Sequence, residues 1–401
     1  MNRRSFLNTL KNVSLSALPL SLFLSCNEND QNLKGKILTI GENYKTGDKE
    51  SLVTKVDLST KRVSQKVIPI RWGHMVSSYK KDELLACGYS ANQLIVLDSD
   101  DLSIKRKLNI PKSYVSSGHF LIQNKKLYVG LYPQSYDKTA ALLIKDLDSE
   151  STLKIVPFKS YGCHDIVSFN SNQILVSLTP SKKDEGFLYP DKKGGLALFD
   201  TNHDTLNDLI NVSYNGSPDH LEASRSGNIF LGITQFIPFK NKKFLESCFK
   251  NKYLSRKDIF NPTAIRQEKI GIHRPLVKLS ISKNQIDTKE LHLVNGKQQK
   301  ILSFAKDESN DKIFMTCGHS NQLICFNSKT GELIKSWDGS IFNLNSLQGV
   351  CILNENYIAV SGDKENIVIY STRNERIFHT FVTKLHSSTH LSIIEASTIL
   401  S

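Results

Sequence analysis

Apolar runs of four to six residues, separated by turns rich in Gly, Ser, Asn and Asp, recur along the chain from Lys36-Ile37-Leu38-Thr39-Ile40 onward. Runs of that length, continuous or alternating on a period of two, predict buried strands rather than helices. Two stretches are copies of one pattern. Leu84-Leu85-Ala86 leads into Cys87-Gly88-Tyr89-Ser90-Ala91-Asn92-Gln93-Leu94-Ile95-Val96-Leu97, and Ile313-Phe314-Met315 leads into Cys317-Gly318-His319-Ser320-Asn321-Gln322-Leu323-Ile324-Cys325-Phe326. Each reads strand, turn, strand, polar turn, strand, and weaker copies end in Phe199-Asp200 and Val368-Ile369-Tyr370. The turn residues sit where hairpins need them. Short helical turns are expected only at Leu206 to Ile210 and Phe244 to Phe249.

The first strand of each unit starts near His74, His119, His164, His220, Ser303, Gly349 and His390, at steps of 45, 45, 56, 83, 46 and 41 residues. A period near 45 with four strands per unit predicts blades, and seven starts predict an all-β, seven-bladed β-propeller over residues 35–396. The long step holds an insertion from about Ile237 to His273. The last start has no room for a complete unit after it, and Lys36 has no first strand before it. The C-terminal strand is therefore expected to complete the N-terminal blade and close the ring without free edges.

Five of the seven starts carry histidine: Gly73-His74, Gly118-His119, Cys163-His164, Asp219-His220 and Thr389-His390. Innermost strands line a propeller's channel, so these side chains should ring one mouth. Neutral imidazoles around a wet opening suit a transition metal such as iron, copper or zinc. A histidine that merely hydrogen-bonds the neighbouring blade fits the same slot. Asp165, Asp219 and Glu222 are candidates for ligands or for acceptors that set an imidazole's tautomer. Arg71 could pair with an anion there. Non-neighbours such as His74 and His220 are expected to lie too far apart to share an ion, leaving His74, His119 and His164 as the favoured set. Ser303 and Gly349 mark a histidine-poor arc where a substrate or partner could approach.

Composition is ordinary for a globular chain, with 39% hydrophobic and 23% charged residues. Net charge is 52 − 39 = +13, but the basic residues are scattered, which argues against nucleic-acid binding. Arg3-Arg4-Ser5-Phe6-Leu7 followed by the apolar stretch Val13 to Leu24 reads as a twin-arginine-type export signal over residues 1–26. Phe23-Leu24-Ser25-Cys26 resembles a lipobox, which makes Cys26 a candidate lipidation site, with residues 27–34 as a tether. An ordinary export signal and an unlipidated product remain open. The expected address is periplasmic, with membrane contact only through such an anchor and the protein a monomer. Cys87, Cys163, Cys248, Cys317, Cys325 and Cys351 would then meet an oxidising compartment, where disulfides are permitted but not demanded, and most are expected to be buried.

No nucleophile elbow, phosphate loop, HExxH helix or haem-attachment motif occurs. His319 and Cys317 sit in a turn whose sister copy has Tyr89 at the histidine's position, and they read as structural. In order along the chain stand Arg71-Trp72-Gly73-His74, Ser117-Gly118-His119-Phe120, Gly162-Cys163-His164-Asp165, Ser217-Pro218-Asp219-His220-Leu221 with Gln235, Arg274-Pro275-Leu276-Val277 and Gln348-Gly349-Val350-Cys351. Through these the chain resembles domain-of-unknown-function family 1513 over roughly residues 34 to 395. The resemblance implies an exported propeller related to the quinoprotein amine dehydrogenase β-chain and other YVTN-type propellers, with genes near iron-uptake proteins of the imelysin type and no established activity. Cys163, Asp219 and the segment from Pro180 to Lys193 depart from that family's pattern.

Three readings follow. The first is a non-enzymatic propeller that binds a metal ion, or an iron-uptake or other periplasmic partner, at the histidine-lined mouth. The second is an enzyme, lactonase-like or a dehydrogenase subunit, using the same mouth with His74, His119 or His164 as base. The third is an interaction scaffold presenting the insertion through Phe239, Phe244 and Phe249.

Overall fold

The apolar runs form strands, and the strands form seven blade sheets, six of four strands and one of five, set around a common channel. The computed structural model describes residues 33–394 apart from 44–46, 135–138, 159–161, 180–181, 185–186, 190–193, 213–216, 235–275, 283–284, 292–300, 319, 363–364 and 387–389. The export signal, Cys26, Cys248, the insertion at 237–273 and the turn at Phe244 to Phe249 all lie outside the described residues.

Blades 1 to 6 begin with innermost strands Gly73–Ser78, Tyr114–Gln123, Gly162–Asn170, Ser217–Ala223, Ile301–Asp307 and Val350–Asn354. Each is followed by three antiparallel strands in sequence order outward. Blade 7 joins the two ends of the chain. Its innermost position is filled by Leu385–His386 and Leu391–Ile394, which pair with Lys36–Asn43, followed by Gly47–Asp57 and Arg62–Ile68. The C-terminal strand therefore closes the ring as the repeat predicts, and innermost strands touch in blade order all the way round. A small ribbon, Lys182–Asp184 with Phe187–Tyr189, stands outside the blades.

Middle strands are buried along almost their whole length, as in Glu83–Gly88 and Gln93–Asp98, while the outermost strand Ile104–Asn109 is mostly exposed. The reason is geometric: a neighbouring blade covers each face of an inner strand, so its side chains are apolar in both directions. Leu85, Leu94 and Val96 of blade 1 thus pack with Val129, Leu131 and Leu143 of blade 2.

Leu206 to Ile210 is not helical; it belongs to Thr205–Asn211, the outermost strand of blade 3. Its leucines at 206 and 209 have helical spacing, but the exposed edge of Gly195–Asp200 offers a full ladder, which one helical turn cannot match. The chain is already packed at Leu33, inside the segment read as a tether, because its side chain joins Ile37, Val56 and Cys351 in the core. Cys87, Cys163, Cys317, Cys325 and Cys351 are buried thiols, and no disulfide forms among the described residues. Burial pushes the Cys87 thiol up to about 12.

Charged side chains clamp blade to blade. Arg106 of blade 1 donates to both Glu83 oxygens at 2.7 Å and reaches across to Glu150 of blade 2, which also takes Lys80 Nζ at 2.9 Å. The Arg106 hydrogen bond, against a smaller opposing effect of burial, holds the Glu150 carboxyl at about 2 instead of 4.5. A folded-state value below the unfolded one adds stability above pH 4.5, and that contribution is lost as pH falls towards 2. With Arg106 a third exposed, the clamp is worth about 1–2 kcal/mol after screening. Urea midpoints should hold level from neutral pH to about 5 and then fall, and Glu150→Gln should flatten that Glu150-dependent part of the fall. An unchanged acid limb in the variant would refute the assignment.

Candidate metal centre

Every histidine of the repeated slot sits where the ladder of its innermost strand slips. Gly73 faces Gly88 and Met75 faces Cys87, so His74 is an extra residue between them. A one-residue slip also falls between Cys163 and Ile166 and between Pro218 and Leu221, and a two-residue slip between Ser116 and Phe120. In blade 7 the pairing breaks between His386 and Leu391, just where His390 stands. A β-bulge frees a side chain from the pleat and re-aims it. Here the bulges turn imidazoles towards the channel axis.

The rings meet. His74 lies with ring centroids 4.6 Å from His119 and 4.7 Å from His390. His119 is 4.9 Å from His164 and 5.4 Å from His220. His164 and His220 are 5.1 Å apart, and His220 and His390 are 5.3 Å apart. Even His74 and His220, two blades removed from neighbours, are only 6.4 Å apart. The expectation that non-neighbours lie too far apart to share an ion fails for His119, His220 and His390, although His74 and His220 themselves share no triad: the bulged residues point across a narrow channel instead of lining its rim. Two triads, His74 with His119 and His164, and His119 with His220 and His390, each hold three ring nitrogens within 4.8 Å of one another.

Nε2 of His74 stands 3.0 Å from Nε2 of His119 and 3.2 Å from Nε2 of His390. Two nitrogens bound at 2.0–2.1 Å to one tetrahedral ion are about 3.3 Å apart, so these separations fit a shared coordination sphere as well as a hydrogen bond. Asp165, buried beneath the rings, meets His119 Nδ1 at 3.0 Å and His220 Nδ1 at 3.8 Å. Its carboxylate also accepts the Ile166 and Leu221 N–H groups at 2.8 and 3.1 Å. Burial alone would raise Asp165, but His119 beside it, with His390 and His164, holds the carboxyl below the usual carboxylate range. His390 is pushed down to about 3, chiefly by burial and then by His119, so it is a neutral imidazole at physiological pH. Nδ1 of His119 facing a carboxylate leaves Nε2 with its lone pair towards the centre, the arrangement that supports a metal-bound histidine.

Tyrosines unforeseen in the sequence complete one wall. Tyr132 Oη is 2.9 Å from His164 Nδ1, and Tyr89 lies 5.6 Å from the Tyr132 ring and 6.5 Å from that of His74. Burial first, and then neighbouring groups including Asp219, push both phenols up. Both tyrosines stand at the end of the second strand of their blades, Tyr132 within Lys126–Pro133 and Tyr89 just after Glu83–Gly88, a phase that the histidine pattern does not include. Gly118, at φ +93°, passes so close to His74 that a Cβ there would lie 2.7 Å from the ring. Only glycine accepts both that φ and that approach.

The other acids and Arg71 divide. Asp165 joins the histidines. Glu222 turns to Lys306 of blade 5 at 3.2 Å, and burial raises its carboxyl. Arg71 is exposed, with its guanidinium 4.0 Å over the neighbouring Trp72 ring. Ser303 is buried, and Gly349 packs against Leu391, so the histidine-poor arc is filled at these two positions. His319 lies outside the described residues.

No protein-family model and no curated protein matches the chain. Among solved structures it is similar to Kuenenia stuttgartiensis hydrazine synthase, with TM-score 0.57 and 10% identity over 87% of this chain and 99% of that one. It is equally similar to a functionally unknown protein from Desulfotomaculum acetoxidans, with TM-score 0.57 and 9% identity over 90% of this chain and 99% of that one. At such identity the likeness shows the propeller fold alone.

Proposed function

We propose that this is an exported propeller that binds one transition-metal ion, iron, copper or zinc, where its histidines meet. The observation that carries the reading is convergence: residues from blades 1, 2, 3, 4 and 7 form two triads, each with its ring nitrogens within 4.8 Å of one another, beside a buried carboxylate. An all-imidazole set without thiolate suits borderline metals. The resemblance to family 1513, whose genes accompany iron-uptake proteins, points the same way and makes a periplasmic metal-handling protein the natural partner. The sequence's twin-arginine-type signal supports export, and Cys26 a lipid anchor.

Titration of the folded chain with Zn(II), Cu(II) and Fe(II), followed by elemental measurement, is expected to give about one equivalent of at least one of them. Uptake below about a tenth of an equivalent for all three would overturn the reading and leave the histidines as packing groups.

The His119–Asp165 pair favours a second reading, because a carboxylate at Nδ1 also orients a general base. Against it, His119 is only 3% exposed and faces other imidazoles, so a substrate has no route to its Nε2 without displacing them. The scaffold reading rests on the insertion at 237–273, outside the described residues.

A further inference from the structure

The metal-binding reading rests on five histidines, yet the geometry sorts them into two triads with one member in common. We infer that they form two alternative three-nitrogen positions for a single ion, mutually exclusive because both need His119. The two groups are His74, His119, His164 and His119, His220, His390. His119 Nδ1 faces Asp165 Oδ1 at 3.0 Å, so the ring offers the centre only the lone pair of Nε2. One lone pair holds one ion, and the triads cannot be filled together.

His74 connects the positions. It is a member of the first triad, and its Nε2 lies 3.0 Å from His119 Nε2 and 3.2 Å from that of His390, a member of the second. An ion crossing between triads keeps His119 and passes within reach of His74. Each position uses three protein nitrogens and leaves a fourth coordination place for water or an incoming ligand, which is the pattern of an exchangeable ion and not of a closed structural site. The centre is thus built to take up and release a borderline divalent cation.

The test is a zinc titration of the full chain and its variants, with Co(II) as a spectroscopic reporter. The unaltered chain should bind one Zn(II). His164→Ala removes the first triad and His390→Ala the second; because the positions are alternatives, the two single variants should weaken binding about twofold each if the positions are equal, or one by up to about tenfold and the other hardly at all if they are not. The double variant should weaken it by more than about 100-fold, far beyond the product of the single effects. The Co(II) d–d spectra of the two single variants should differ, with the unaltered chain showing both components. Far-UV circular dichroism confirms retained strand content in each variant. Two equivalents bound, or a loss in His164→Ala as deep as in the double variant, would overturn the alternation while leaving metal binding intact. No binding by the unaltered chain would overturn both.

Discussion

Asp165→Asn is expected to weaken zinc binding by about 10–100-fold while leaving the strands in place. Asp165 uses two oxygens for three N–H groups: Oδ1 faces His119 Nδ1 and the Ile166 N–H, and Oδ2 takes the Leu221 N–H. An amide has one acceptor oxygen. If it stays at the Oδ1 position, its NH₂ confronts the Leu221 N–H, and a buried donor loses its partner at about 1–3 kcal/mol. If it flips, the NH₂ faces His119 Nδ1 and draws the lone pair there, which moves the proton to Nε2 and takes the shared donor away from the centre. Asp165→Ala abandons all three N–H groups and should cost about 3–5 kcal/mol. Zinc titration reads the first effect and urea unfolding the second. Unchanged affinity in Asp165→Asn would show that the carboxylate does not set the His119 tautomer.

Ending the chain after Lys384 is expected to prevent stable folding. The truncation removes Leu391–Ile394, whose residues pair with Lys36 to Thr39, and with it His390, whose carbonyl accepts from Thr39 Oγ1 at 2.9 Å. Leu385 and Leu391 are buried, and Ser392 bonds the Val76 carbonyl of the next blade. Four residues of ladder at about 1 kcal/mol per hydrogen bond, with two buried leucines at about 1.5–3 kcal/mol each, amount to roughly 7–10 kcal/mol. That equals the whole net stability of an ordinary domain, about 5–15 kcal/mol, and the bare edge of Lys36–Asn43 would invite aggregation. Soluble yield and thermal unfolding test it. A truncated chain that melts within about 3 °C of the full one would mean that the closing strand is dispensable.

The second and third strands of each unit were legible because burial on both faces forces unbroken apolar runs, as in Leu94-Ile95-Val96-Leu97, and the turns between them need Gly, Asn or Asp. Counting such units along the chain yields seven blades without a single tertiary contact. Ring closure followed from an unpaired first strand at one end and an incomplete unit at the other. The common phase of His74, His119, His164, His220 and His390 was equally visible, since equivalent positions in a repeat occupy equivalent places in a closed ring. Where local pattern and fold disagreed, as at Leu206 to Ile210, strand pairing outweighed helical spacing.

What those histidines can do was decided by tertiary structure. Apart from Gly118, the bulges leave little trace in residue type, yet at them His74 and His220 stand 6.4 Å apart, a cluster where the period predicts a rim. Choice among the acids was also made between blades: Asp165 faces His119 of blade 2, while Glu222 is taken by Lys306 of blade 5. Tyr132 reaches His164 from the second strand of another blade, and Arg71 lies on Trp72. Local periodicity thus sets which strands form and in what order. The partners of each polar group are set where separate blades meet, because a buried charge or imidazole takes the nearest complementary group in space, whatever its distance along the chain.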